Sequence, residues 1–133
     1  MMSRDDFNNN SVLVRDIMNK TLISVNPTTT SFQIAKMMKH GGIGTIIVKE
    51  KEIPAGIITD RDFATKITAY NLPFDTPAEK IMSFPLITID HADPISSAAQ
   101  MMSSKKIRKL VVVAKDKIVG IITSTDLVNQ LAK

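Results

Sequence analysis

Gly56-Ile57-Ile58-Thr59-Asp60-Arg61-Asp62 and Gly120-Ile121-Ile122-Thr123-Ser124-Thr125-Asp126 are two versions of one heptapeptide within a chain of 133 residues. Asp62 and Asp126 are 64 positions apart, and so are Met18 and Met82. Under this one shift Ile17-Met18 falls on Ile81-Met82, Leu22-Ile23 on Leu86-Ile87, Ala35 on Ala99, and Met37-Met38 on Met101-Met102. The second half of the chain therefore repeats the first without a gap, and the sequence predicts two copies of one supersecondary unit.

Each copy reads as the same series of elements. In the second, Thr76-Pro77-Ala78-Glu79 has the order of a capping box, with proline at the first helical position, and opens a short helix through Ile81 and Met82. An extended stretch from Leu86 to Ile89 follows. Asp93-Pro94 then caps a helix whose apolar residues, Ile95, Ala98, Ala99, Met101 and Met102, recur at helical spacing. The first copy has Thr29-Thr30 at that cap and Gly41-Gly42 at the helix end, where a left-handed residue is easiest for glycine. Two β-rich runs come next, Leu110 to Val113 and Ile118 to Thr123, split by Lys115-Asp116. Their counterparts flank Lys51-Glu52, so each copy predicts a hairpin. A last helix begins just after Thr59 and after Thr123. The boundaries that follow are a polar tail at residues 1–10, repeat 1 at 11–68, a linker at 69–75 and repeat 2 at 76–133. One copy alone is too small to bury a sufficient core, so the two are expected to make one α/β (α+β) fold with two-fold pseudo-symmetry.

Composition narrows the function. With 44% hydrophobic residues and a mean hydropathy of +0.06, the chain has the apolar content of a folded core. It contains no cysteine, which excludes thiolate chemistry and disulfides and fits a cytoplasmic location. No apolar run reaches membrane-spanning length, and the tail lacks the apolar segment of a signal peptide. The net charge of +4 is dispersed among acidic residues. His40 and His91 lack the spacing of a metal motif, and no serine has a nucleophile-elbow context, so neither a metal site nor catalysis is expected. The Met37-Met38 and Met101-Met102 pairs read as core or dimer-interface packing.

The heptapeptides carry the chemistry. In each, a buried strand runs into a helix N-terminus, where unpaired N–H groups and the helix dipole attract an anion. The hydroxyls of Thr59, Thr123, Ser124 and Thr125 can add hydrogen bonds to phosphate, and Asp62 or Asp126 can accept from ribose hydroxyls. The plain alternative is that these residues are helix caps worth about 1 kcal/mol each. Their recurrence beside Gly56 and Gly120, where a backbone can approach another group closely, favours a nucleotide.

Here the chain resembles tandem cystathionine β-synthase (CBS) domains, through the opening Ile17-Met18 and Ile81-Met82 and the closing glycine-to-aspartate heptapeptides, over nearly all of both repeats. The resemblance implies two β-α-β-β-α units packed through their sheets, a homodimer, and two clefts that bind AMP, ADP, ATP or S-adenosylmethionine to regulate an effector protein. It implies a non-enzymatic sensor with no further cofactor. One cleft would take Thr59, Arg61 and Asp62 with Leu86, Ile87, Thr88, Arg108 and Lys109. The other would take Thr123, Ser124, Thr125 and Asp126 with Leu22, Ile23, Ser24, Gly44 and Thr45, the early-strand residues meeting the adenine. The chain departs from the family's commoner His-Arg pattern before the second strand: Arg108-Lys109 keeps the charge in one repeat, whereas Gly44-Thr45 loses it in the other. The basic run from Lys105 to Lys109 also motivates a rival, a nucleic-acid-binding accessory protein, but aromatic residues interleaved with basic ones are absent.

Overall fold

Two three-stranded sheets organise residues 12–133, the part of the chain that the computed structural model describes; the expected tail at residues 1–10 lies outside it. In chain order the elements are α1 (Val14–Ile17), β1 (Ser24–Val25), α2 (Ser31–Gly41), β2 (Thr45–Glu50), β3 (Ile53–Thr59) and α3 (Asp60–Asp62), which widens into a π-helix over Phe63–Thr68. They continue as α4 (Ala78–Ile81), β4 (Thr88–Asp90), α5 (Ile95–Lys105), β5 (Lys109–Ala114), β6 (Lys117–Thr123) and α6 (Ser124–Leu131). In each sheet the first strand runs parallel to the second, and the second pairs antiparallel with the third.

The hairpins form where the sequence predicts them. Lys51 and Glu52 have φ of 51° and 66°, and Lys115 and Asp116 repeat those values, so both turns are of the mirror-image kind that suits twisted strands. The helix ends agree too. Gly42 caps α2 in the left-handed region at φ 62°, and Lys106, at the same place in the second repeat, adopts φ 55° to cap α5.

The compact units do not follow the repeats. Unit 2 is Ile23–Leu86, and unit 1 joins the described residues up to Leu22 with Ile87–Lys133. Each unit thus holds one repeat's sheet and the other repeat's opening helix. In unit 2 a core of Ile34, Ile46, Val48, Ile58 and Ile67 buries Ala78 and Ile81 of α4. In unit 1 Ile89, Ile95, Leu110, Val112, Ile122 and Leu127 bury Val14 of α1.

Local bonding explains why an opening helix of four residues is stable there. The Ala78 and Glu79 N–H groups donate to the Thr29 and Pro27 carbonyls at 2.8 and 2.9 Å, and those of Val14 and Arg15 donate to Asp93 and His91 at 2.8 and 3.0 Å. Two sequence expectations are corrected as a result. Pro77, not Thr76, is the N-cap of α4, and the Thr76 hydroxyl donates to the Pro73 carbonyl at 2.6 Å. Pro94, not Asp93, is the N-cap of α5, and it has no side-chain cap. Backbone carbonyls already satisfy the α4 N–H groups that a capping box would serve.

The glycines of the repeated heptapeptide are also explained. A Cβ on Gly56 would lie 2.6 Å from Met82 Sδ, and one on Gly120 would lie 2.7 Å from Met18 Sδ and 2.9 Å from the Asn19 carbonyl. What these glycines admit is the methionine of the opening motif. Paired bonds between Ile57 and Ser83 (2.8 and 3.1 Å) and between Asn19 and Ile121 (2.8 and 2.9 Å) fix the approach.

Candidate functional site: two strand-to-helix junctions

In unit 2, β3 carries Thr59 to the N-cap of α3, and the register sets Thr45 of β2 opposite it. The Thr59 N–H donates to Asp62 Oδ2 at 2.8 Å, and the Thr59 hydroxyl lies 3.5 Å from the same oxygen. The other carboxylate oxygen, Oδ1, accepts from Lys66 Nζ at 3.1 Å and from the Ser83 hydroxyl at 3.4 Å. Lys66 also donates to the Ser83 hydroxyl at 3.1 Å and to the Ile81 carbonyl, the end of α4, at 2.9 Å. Asp62 is consequently buried at 6% exposure, while Arg61 is exposed.

Unit 1 has the same junction with fewer partners. β6 carries Thr123 to the N-cap of α6, Lys109 of β5 is opposite it, and the Ser124 N–H donates to the Arg108 carbonyl at 2.8 Å. A reciprocal capping box closes the turn, with the Thr123 N–H on Asp126 Oδ2 at 2.8 Å and the Asp126 N–H on the Thr123 hydroxyl at 3.2 Å. Among the described residues the Asp126 carboxylate has no partner beyond Thr123, and the residue is only half-buried. Thr125 and Arg108 are exposed; Ser124 and Lys109 are half-buried.

The early strands are placed beside their own repeat's hairpin. Ser24 pairs with Ile47 and Thr88 with Val111. The Ile23 and Ile87 carbonyls accept from the Ile47 and Val111 N–H groups at 2.9 and 3.1 Å, and both side chains pack against the core of their unit. Leu22 keeps 37% of its surface exposed, and Leu86 is half-buried. Of the first predicted grouping, Thr59, Arg61, Asp62 and Leu86 belong to unit 2, and Ile87, Thr88, Arg108 and Lys109 to unit 1. Of the second, Ile23, Ser24, Gly44 and Thr45 belong to unit 2, and Leu22 and Thr123–Asp126 to unit 1.

Sequence reasoning missed Lys66 and Ser83, whose link to Asp62 depends on the placement of α4. It also missed a cavity of about 510 Å³ in unit 2, lined in part by Ser24, Asn26, Gln33, Met37, Lys49 and Lys51. Among the described residues no cluster of metal-ligating side chains occurs, and no helix is long and apolar enough to cross a membrane.

A family model, CBS domain, matches residues 14–69 and again 78–133. The chain belongs to the CBS-domain family. It is 38% identical over 120 residues to the uncharacterised protein MK0525 of Methanopyrus kandleri, covering 88% of this chain and 61% of that one. It is 34% identical to the CBS domain-containing protein YhcV of Bacillus subtilis, with 90% and 86% covered. Among solved structures, the CBS domain pair of protein MJ0100, in complex with 5′-methylthioadenosine and S-adenosyl-L-methionine, matches with a TM-score of 0.81 and 29% identity over 91% of this chain and 96% of that one. The chain is thus a CBS pair, a module of a kind that is generally ligand-binding and regulatory.

Proposed function

We propose that this CBS pair binds an adenine nucleotide, AMP, ADP or ATP, at its strand-to-helix junctions and signals occupancy to an effector protein, acting as a cytoplasmic homodimer without catalysis. The observation that carries this reading is the unit 1 junction. A half-buried carboxylate, Asp126, is fixed by its capping box one turn into α6, beside the hydroxyls of Thr123, Ser124 and Thr125. A carboxylate oxygen that remains available suits a ribose hydroxyl, and the N-terminus of α6 suits a phosphate. The complex of MJ0100 supports the adenosyl part, because both molecules bound by that protein carry adenosine. Neither carries a phosphate, which favours S-adenosylmethionine as the second reading.

A ligand that binds only the folded chain raises its stability by about 2.7 kcal/mol at a hundredfold excess over Kd. Thermal melts with millimolar AMP, ADP, ATP and S-adenosylmethionine are therefore expected to rise by several degrees for at least one of them. An unmoved transition with all four contradicts adenosyl sensing. Light scattering at micromolar concentration is expected to give twice the 14.6 kDa chain mass, and a monomer contradicts the homodimer.

A further inference from the structure

The repeated heptapeptide presents two aspartates, but the chain has used them differently. Asp62 is 6% exposed, and both of its oxygens are engaged within unit 2: Oδ2 by the Thr59 N–H at 2.8 Å, Oδ1 by Lys66 at 3.1 Å and by Ser83 at 3.4 Å. Lys66 has three N–H donors, and they meet Asp62, Ser83 and the Ile81 carbonyl, so this lysine is committed to holding α3 against the end of α4. In unit 1 the position of Lys66 is taken by Gln130 and that of Ser83 by Asn19. Asn19 Oδ1 accepts from the Thr21 N–H at 2.9 Å instead, and Asp126 keeps one oxygen outside its capping box. A ribose could reach Asp62 only by displacing a lysine and a hydroxyl that already satisfy it, whereas at Asp126 none of the described residues beyond the Thr123 cap engages the carboxylate.

We infer that the chain has one adenosine site, not two: Asp126 is its ribose acceptor, and Asp62 is a structural carboxylate that ties the opening helix of the second repeat to the first repeat's closing helix. This inference rests on the adenosyl reading above and restricts it to one junction.

The test is calorimetric titration of the full chain with AMP and with S-adenosylmethionine, together with ligand-free melts, for the wild type, Asp126→Asn and Asp62→Asn. Asparagine can still accept from the capping N–H in either variant, so the fold survives while the charged acceptor is lost. The expected result is one site per chain, a loss of affinity of about tenfold to a hundredfold for Asp126→Asn, and a Kd for Asp62→Asn within about threefold of wild type. Without ligand, Asp62→Asn melts several degrees below Asp126→Asn. Two equivalent sites per chain, or equal loss of affinity in both variants, overturns the assignment. If neither these two probes nor ADP and ATP bind the wild type, the adenosyl reading fails. The ligand-free melts then still judge the structural role of Asp62: a lower transition for Asp62→Asn upholds it, and equal transitions refute it.

Discussion

The junction of unit 1 and that of unit 2 begin with the same strand, the same threonine cap and the same aspartate, and they diverge one turn later. After Asp126, α6 runs on regularly to Leu131. After Asp62 the helix widens: the Ala69 N–H donates to the Ala64 carbonyl at 3.1 Å and the Leu72 N–H to Ile67 at 2.9 Å, both five residues back. That wider stretch contains Lys66, which occupies the aspartate. A repeated motif is therefore not a repeated site. The threonine and glycine meet requirements common to both units, a helix cap and room for a methionine, whereas the availability of the carboxylate depends on whether the next turn supplies a lysine or a glutamine.

The largest effect is expected where the two units are most alike. Gly120→Ala should destabilise the fold by about 2–3 kcal/mol, because the new Cβ meets the Asn19 backbone carbonyl at 2.9 Å, and backbone yields little. For Gly56→Ala the three nearest atoms all belong to the Met82 side chain, which yields more readily than backbone. This substitution should cost about 1–2 kcal/mol, much of it recovered in Gly56→Ala combined with Met82→Ala, which denaturant melts of the four species can read as a coupling energy. Equal costs at the two glycines, or no coupling, would show that the methionines are not what the glycines admit.

A smaller effect separates the junctions. Lys66→Met should cost about 1 kcal/mol, since the ion pair is a third exposed on the lysine side and is screened accordingly, while Gln130→Met should be near neutral. Equal changes in chemical melts of the two variants would dissolve the contrast. The smallest effect concerns the caps. Lys106→Gly should stabilise by about 0.5–1 kcal/mol by relieving a left-handed lysine at φ 55°, and Gly42→Ala should destabilise by about 1 kcal/mol at φ 62°. Matching signs in thermal melts would argue against the capping account.

Much of the fold is readable in the residues because its determinants are local. Lys51-Glu52 and Lys115-Asp116 punctuate the hairpins, Gly42 ends α2, and Thr59 and Thr123 start the closing helices. The opening helices were legible as helices but not in their placement. Their N–H groups are satisfied by Pro27, Thr29, His91 and Asp93 of the other repeat, and nothing in a tetrapeptide announces such partners. Gly56 and Gly120 were correctly read as points of close approach, but what approaches is a methionine. At the candidate site the aspartates and threonines were visible as a pattern. Lys66 was not, because a single lysine on a polar helix face has no distinguishing sequence signal until α4 brings Ser83 and the Ile81 carbonyl to it.

The most direct test of the account is a crystal structure of the full chain grown with AMP. The prediction is one adenosine per chain, with ribose hydroxyls within hydrogen-bonding distance of the Asp126 carboxylate and the Lys66–Asp62 pair intact at about its present 3.1 Å. Ribose bound to Asp62 with Lys66 displaced, or AMP seated in the lysine-lined cavity of unit 2 with Asp126 bare, would contradict it.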